Sequence, residues 1–213
     1  MGRLIDMKKT FLIVFLFFSL PIVVFGSAAL VGEECLIQST ACSGSCALYE
    51  QQTTGGGNAS VGYSNSTDWG GQIYLAPTND CICQLSFTLI SYGEPGTEGY
   101  SYKVEIYTMN GTSLDELQAT SSTVAGSDDW SSTVVNFEFP TPFQMTASTN
   151  YGFAIRKVGG GYDTTNYIRF NLETSNNLVF TDASEYACNW AYDYSIQNTK
   201  NPYDARLNVY TNQ

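Results

Sequence analysis

One short stretch of the sequence, residues 186–194, combines aromatic rings with amide and carboxylate side chains. Its rings stand at alternate positions, so they share one face in an extended backbone. Flat rings pack on the apolar faces of sugars, while amides and carboxylates bind sugar hydroxyls. The stretch therefore predicts a surface that binds carbohydrate or another cell-surface ligand. The predicted ligand-binding residues are Trp190, Tyr192, Tyr194, Asn189, Asp193 and, in a separate loop, Trp69.

The same rings have an alternative, structural interpretation. Trp190 and its tyrosine neighbours can cap the end of a hydrophobic core or pack against a disulfide at Cys188. Trp130 enters an alternating apolar pattern and is interpreted as a core residue. The two interpretations differ in one observable, because a binding site requires exposed ring faces and a core does not.

The absence of histidine removes several kinds of catalysis and metal binding. Ser-His-Asp and Cys-His chemistry and imidazole zinc sites all need that side chain. Paired carboxylates hydrolyse glycosides without histidine, but no such pair stands out among acids scattered through predicted turns. The sequence therefore predicts a protein that is not an enzyme.

Acidic residues dominate the charge, with 20 Asp+Glu against 9 Lys+Arg and a formal net charge of −11. Such a chain repels the phosphate backbone, so no nucleic-acid partner is predicted. No cofactor is predicted either, although a structural calcium ion is an open alternative because carboxylate and amide oxygens bind it. The candidate calcium ligands, none with the spacing of an EF-hand, are Asp128 with Asp129, Asp163 with Asn166, and Asp204 with Asn208.

The first 26 residues have the pattern of a cleaved secretion signal. Lysines precede an apolar run at residues 11–18, and small or uncharged residues follow up to Gly26. An uncleaved membrane anchor is the alternative, but Ser19 and Pro21 interrupt a run shorter than the about 20 apolar residues that a span needs. We therefore expect a protein that is secreted or held at the cell surface, with no membrane span after cleavage.

Six cysteines in an exported chain predict disulfide bonds. Three of them lie near the N-terminus and form at most one bond among themselves, so complete oxidation joins at least one to a later cysteine. A Cys81–Cys83 bond is not expected, because positions two apart on a strand are about 6.5–7 Å apart. A tetrathiolate zinc site is the alternative, although the cysteine spacing suits it poorly. The cysteines assigned to disulfides, with their pairing otherwise open, are Cys35, Cys42, Cys46, Cys81, Cys83 and Cys188.

Beyond residue 60 apolar and polar residues alternate in short segments separated by turn clusters. Each segment is typical of a half-buried strand, and many such strands predict two antiparallel sheets packed face to face. A short helical turn is expected only at residues 113–117, where Ser113 and Glu116 have the spacing of a capping box. The predicted inward positions are Leu85, Phe87, Leu89, Tyr102, Val104, Ile106, Val135, Phe137, Phe139, Tyr151, Phe153, Ile155, Ile168, Phe170, Leu172, Leu207 and Val209.

The domain organisation follows from these patterns. Residues 1–26 are the predicted signal peptide, and residues 27–57 a cysteine-rich arm and linker, since 51–58 is polar and glycine-rich. Residues 58–213 form the predicted domain. The predicted fold class is all-β, an antiparallel β-sandwich of jelly-roll type with a short cysteine-rich N-terminal arm.

Between Gln72 and Tyr210 the sequence resembles the secreted sandwich domains called choice-of-anchor R and, more loosely, jelly-roll carbohydrate-binding modules. The resemblance implies an extracellular, non-catalytic domain, often carried by proteins attached to a cell surface. The cysteine-rich arm departs from the family pattern, and no sorting signal is visible before Gln213. The matching stretches are residues 83–89, 102–107 with 117–122, 137–139, 143–145, 150–155 and 203–210.

Two functions from different classes are consistent with these patterns. The first is a secreted, non-catalytic sandwich that binds carbohydrate or another cell-surface ligand. The second is a structural subunit of an extracellular assembly such as a surface layer, fibre or filament. In the second, residues 27–50 would reach a neighbouring copy and add to the edge of its sheet.

Overall fold

The described part of the chain forms fourteen β-strands. A computed structural model describes residues 42–64, 67–92, 99–159, 162–174, 178–180, 182, 184–191, 193–199 and 203–213. The predicted signal peptide, residues 27–41 of the predicted arm, Cys35 and Tyr192 lie outside these ranges. The strands are Cys46–Gln51 (β1), Gly57–Val61 (β2), Trp69–Leu75 (β3), Cys81–Tyr92 (β4), Ser101–Asn110 (β5), Ser113–Thr120 (β6), Val124–Ala125 (β7), Ser131–Gln144 (β8), Asn150–Val158 (β9), Tyr167–Glu173 (β10), Tyr186–Trp190 (β11), Ile196–Thr199 (β12), Asp204–Ala205 (β13) and Leu207–Asn212 (β14).

The strands form two antiparallel sheets of seven strands each. In the first sheet the order is β1-β14-β4-β10-β13, with β2 paired to β10 and β8 paired to β4. The order in the second sheet is β12-β11-β3-β9-β5-β6, with β7 paired to β5. The prediction of an all-β fold with two antiparallel sheets is confirmed.

The main hydrophobic core draws on the inward faces of both sheets. Phe87, Phe137 and Phe170 come from the first sheet, and Tyr74 and Phe153 from the second. Every alternating position predicted from the sequence to point inwards is buried. The period-two pattern therefore identified the inward face of the six strands in which it was found, β4, β5, β8, β9, β10 and β14, as expected for sheets with one apolar side.

Close packing within the second sheet requires glycine at Gly71. A Cβ atom built there would lie 1.8 Å from the carbonyl oxygen of Phe153 on the neighbouring strand. Cβ atoms essentially never approach a backbone atom so closely. A second glycine, Gly152, leaves the space that the Leu114 side chain fills on the outer side of the sheet, 2.4 Å from where a Cβ would stand.

Two disulfides attach the N-terminal segment to the first sheet. Cys42 is bonded to Cys81, and Cys46 to Cys83, across sequence separations of 39 and 37 residues. The two bonds leave Cys81 and Cys83 unpaired with each other, as expected from their spacing. Each closes a loop long enough to stabilise the fold by about 4 kcal/mol in a chain-entropy model.

Residues 46–51 belong to the first sheet. They form β1, whose register pairs Cys46 with Asn212 and Gln51 with Asn208 of β14. In the assembly hypothesis this segment would pair with a neighbouring copy, but here its partner strand is in its own chain. Residues 27–41, the rest of the proposed reaching segment, lie outside the described ranges.

The prediction of a helical turn at residues 113–117 was wrong. Residues 113–120 form β6, in which Ser113 pairs with Asn110 and Leu117 with Tyr107 of β5. Gly111 and Thr112 make the tight turn between the two strands, with Gly111 at φ +62°. The turn directly before this segment brings it back alongside β5. Pairing with β5 then supplies its backbone hydrogen bonds, so no capped helical turn forms.

Candidate functional site

The predicted ring cluster around Trp190 is mostly buried, which corrects the expectation of exposed ring faces there. Trp190 is 0% and Trp69 2% exposed. The Trp190 indole N–H donates to the Thr112 carbonyl at 3.1 Å, and the Trp69 indole N–H donates to Asp68 at 3.0 Å. Both rings therefore pack as structural residues on the outer side of the second sheet, in a buried cluster that also contains Tyr107 and Leu114.

The polar members of that cluster also have structural partners. Asn189 is 1% exposed, and its Nδ2 donates to the carbonyls of Ser60 at 2.8 Å and Trp69 at 3.1 Å. Since Ser60 lies in the first sheet and Trp69 in the second, Asn189 links the two layers. Asp193 is exposed, and its carboxylate accepts the backbone and hydroxyl donors of Ser195 at 3.1 and 2.6 Å.

Among the described aromatic residues of the predicted site, Tyr194 is accessible, with 40% of its surface exposed. Its ring lies edge-on to Trp69 at a centroid distance of 4.9 Å and 5.8 Å from Tyr107. The guanidinium of Arg156 lies over the Trp69 ring at 4.9 Å. The structure thus brings Trp69, which the sequence placed in a separate loop, together with Tyr107, Tyr194 and the Arg156 guanidinium.

A buried carboxylate organises the cations beside this cluster. Glu105 is 2% exposed and forms salt bridges with Lys103 at 2.5 Å and Arg156 at 3.3 Å. Its Oε2 also accepts the Tyr107 hydroxyl at 2.8 Å. Burial raises the pKa of Glu105, but hydrogen bonds from Lys103 and Tyr107 outweigh that effect and hold the pKa below its ordinary value. The buried Glu105 carboxylate therefore has its counter-charges and hydrogen-bond donors within the protein, which offsets the cost of burying its charge.

Cys188, assigned from the sequence to a disulfide, is a free and fully buried thiol. It belongs to the second hydrophobic cluster, which also contains Trp69, Ile73 and Trp190. Burial raises the pKa of its thiol well above the ordinary value. The side chain therefore behaves as a small apolar residue in this position.

A different aromatic surface is exposed on the outer side of the first sheet. Tyr92 at the end of β4 pairs with Tyr167 at the start of β10, and Tyr63 follows β2 next to them. The Tyr167 ring lies 5.0 Å from that of Tyr92 and 4.8 Å from that of Tyr63. Tyr92 is 48% and Tyr63 41% exposed, whereas Tyr167 is buried between them. We call these three residues the tyrosine platform.

Arg169 adds a cation to the tyrosine platform. Its guanidinium lies over the Tyr92 ring at 4.2 Å, and its Nη2 donates to the Tyr167 hydroxyl at 3.0 Å. Stacking on tyrosine restricts the guanidinium and orients its remaining donors. The platform therefore combines exposed ring faces with a positioned hydrogen-bond donor.

The candidate calcium ligands are largely engaged within the protein. The Asp163 carboxylate accepts hydrogen bonds from Thr165 and Asn166 and from the Tyr100 hydroxyl, which hold its pKa below the ordinary value. Asp204 accepts backbone N–H groups of Val179 and Phe180. Within the described ranges no three Asp, Glu or Cys side chains are grouped to hold a metal ion.

An acidic cleft of about 400 Å³ lies between β1 and the end of β3 and includes Glu50, Asp182 and Glu185. Glu50 accepts the Tyr74 hydroxyl at 3.2 Å, while Glu185 accepts the backbone N–H groups of Leu75 at 2.9 Å and Asp182 at 3.1 Å. Burial raises the pKa of both Glu50 and Glu185. These contacts give the cleft carboxylates a role in joining β1, β3 and the segment before β11.

The sequence matches no protein-family model, no curated protein and no solved structure. In the described part of the chain no helix has the length and apolar character needed to cross a membrane. The fold and the surface chemistry therefore carry the functional argument.

Proposed function

We propose that this protein is a non-catalytic binding protein that recognises carbohydrate through the tyrosine platform. The observation that carries the proposal is the pair of exposed rings, Tyr63 and Tyr92, that pack on either side of the buried Tyr167 ring on the outer face of the first sheet. Sugar rings present apolar C–H faces that pack on such aromatic surfaces, and surrounding polar groups bind their hydroxyls. The proposed binding residues differ from those predicted from the sequence, while the proposed ligand class is the same.

Polar side chains next to the platform support this assignment. Asn171, two residues after Arg169, donates from Nδ2 to Ser132 at 3.1 Å. Farther along β4, six or more residues from Tyr92, Gln84 donates to Ser86, which donates to Asn136 at 2.8 Å. These amides and hydroxyls on the same side of the sheet suit a polysaccharide chain that extends away from the rings. Secretion, the jelly-roll topology and the family resemblance remain predictions consistent with this proposal.

Affinity electrophoresis against a panel of neutral and acidic polysaccharides tests the proposal. We expect the protein to be retarded by at least one glycan, and we expect Tyr92→Ala and Tyr63→Ala to weaken that retardation strongly. Each tyrosine is partly exposed, so its removal should leave the fold intact, which circular dichroism will verify.

Tyr194→Ala is the matched comparison, because Tyr194 is similarly exposed but lies on the second sheet. Unchanged retardation in this variant assigns binding to the platform. The proposal fails if no glycan retards the protein, or if Tyr194→Ala abolishes retardation while both platform variants retain it.

A further inference from the structure

Two polar side chains beside the tyrosine platform have atoms without a hydrogen-bond partner inside the protein. They are Arg169, at Nε, and Asn171, at Oδ1. Both alternate along β10 with Ile168 and Phe170, which are in the core, so both point to the outer face of the first sheet. Asn171 is only 6% exposed, yet its Oδ1 accepts no hydrogen bond. Burying a polar atom without a partner is unfavourable, so Arg169 and Asn171 are side chains of this face whose hydrogen bonding within the protein is incomplete.

Arg206 contributes a third such atom at the same place. The Arg206 Nε also lacks a hydrogen-bond partner. Because Arg206 lies between the core residues Ala205 and Leu207, its side chain points to the outer face. The backbone N–H of Arg206 donates to the Asn171 carbonyl at 2.8 Å, which places the two residues side by side. Arg169, Asn171 and Arg206 therefore occupy adjacent positions on one face.

Neither arginine has an internal counter-charge in the described part of the chain. The two salt bridges found there both use Glu105 on the second sheet, with Lys103 and Arg156. Unpaired guanidinium groups are unexpected in a chain with 20 acidic and 9 basic residues, where carboxylates are abundant. The planar guanidinium fork matches a carboxylate group, with which it forms charge-assisted hydrogen bonds.

We propose that the face formed by the tyrosine platform, Arg169, Asn171 and Arg206 binds acidic polysaccharides whose sugars carry carboxylates. A sugar ring packs on the exposed Tyr63 ring, and its carboxylate pairs with the Arg169 guanidinium, which lies over the Tyr92 ring. Arg206 adds a second cation beside the adjoining sugar unit. The inference rests on the proposed carbohydrate-binding function and names the ligand class for the same surface.

The net negative charge of the protein does not oppose this assignment. Exposed charges farther apart than about 8 Å are largely screened at physiological ionic strength. The local pair of arginines therefore decides the interaction with a carboxylate, while distant carboxylates contribute little.

Isothermal titration calorimetry with matched ligands tests the inference. The probes are oligomers of polygalacturonate, alginate and hyaluronan, each as the free acid and as the methyl ester, in which the backbone is unchanged and the charge is removed. We expect at least one free acid to bind about 10- to 100-fold more tightly than its ester, the range for hydrogen bonds to a charged group.

Two glutamine variants assign that preference to residues. Arg169→Gln is expected to lower the affinity for the acid to that for the ester, and Arg206→Gln to weaken acid binding by a smaller factor. Lys103→Gln removes the same charge from the second sheet, so the acid preference should be unchanged in this control.

The outcomes separate this inference from the proposed function. If acids and esters bind equally, or if Arg169→Gln keeps the full preference, the inference is overturned while carbohydrate binding stands. If dextran sulfate binds the wild type as tightly as the best uronate, the site is a general anion surface and the carboxylate assignment fails. If these probes and the polysaccharide panel all fail to bind, the proposed function fails with it.

Discussion

The side-chain amide of Gln72 in the second sheet donates to the carboxylate of Asp204 in the first, with 3.4 Å between Nε2 and Oδ1. The oxygen of the same amide accepts the backbone N–H of Ala205 at 2.8 Å. Asp204 Oδ2 accepts the N–H groups of Val179 and Phe180. Both side chains are fully buried. One carboxylate therefore joins the two layers and fixes the segment around residue 180.

The pH dependence of stability should reflect this buried carboxylate. Burial raises the pKa of Asp204 from 3.8 to about 6, against the lowering effect of its hydrogen bonds from Phe180, Val179 and Gln72. Because the folded-state pKa lies above the unfolded value, the stabilisation is complete below about pH 4 and is lost as the pH rises through about 6. We expect Asp204→Asn to flatten the fall in melting temperature between pH 4 and pH 7, measured by differential scanning calorimetry.

Asp129→Asn removes an exposed carboxylate and should leave that pH profile unchanged. Burial also raises the pKa of Glu50 and Glu185, so part of the slope should remain in Asp204→Asn. An Asp204→Asn profile as steep as that of the wild type would contradict the assignment.

Replacing Gly71 with alanine should be strongly destabilising. The added Cβ meets the Phe153 carbonyl oxygen at 1.8 Å, and both atoms belong to paired strands that cannot separate without breaking the sheet. Overpacking commonly costs 1–3 kcal/mol, and a clash with backbone should reach at least about 3 kcal/mol in urea unfolding. Gly56→Ala is the matched control, because no atom lies within 4 Å of its Cβ position. Equal stability of the two variants would contradict the close approach of β3 and β9.

The two disulfides make a specific prediction about connectivity. Peptide mapping under non-reducing conditions should recover Cys42 linked to Cys81 and Cys46 linked to Cys83. Removing the first bond by the paired change Cys42→Ser and Cys81→Ser should lower the free energy of unfolding by roughly 2–5 kcal/mol. Exchanged links, with Cys42 bonded to Cys83, would show that the pairing of β1 with β14 has a different register.

The Cys188 thiol should be unreactive in the folded protein. It is fully buried, and burial raises its pKa, so the reactive thiolate is scarce as well as inaccessible. We expect Cys188 to be alkylated by iodoacetamide only after addition of denaturant, as read by mass spectrometry of its peptide. Cys188→Ala should be tolerated better than Cys188→Ser, which buries a hydroxyl in an apolar cluster. Rapid alkylation under native conditions would contradict its position against Trp69 and Ile73.

The inward face of each strand could be predicted because local alternation reports which side a sheet buries. Tyr102, Val104 and Ile106 are an example, since all three point into the core. The same local information cannot show what lies on the outer face. Trp190 was expected to be exposed, but Leu114 and Thr112, nearly 80 residues earlier in the chain, cover that side of the second sheet.

The tyrosine platform was missed for a related reason. Tyr63, Tyr92 and Tyr167 are far apart in the sequence and come together only through the register of β2, β4 and β10. One weak indication of this surface was present in the sequence, since Tyr92 and Tyr167 each lie at the end of an alternating segment, next to a turn cluster. Pairing those two strand ends requires knowledge of topology, which alternation does not supply.

The pairing of β1 with β14 has a consequence for how the chain acquires its structure. During synthesis residues 46–51 emerge long before residues 207–212, so β1 has no partner strand until nearly the whole domain has appeared. The covalent links from Cys42 and Cys46 to β4 need no such delay, since both ends of each link emerge early. Disulfide formation can therefore hold β1 beside β4 before β14 inserts between them. The contact between β1 and β14, which are far apart in sequence, then forms faster than it would in an unlinked chain.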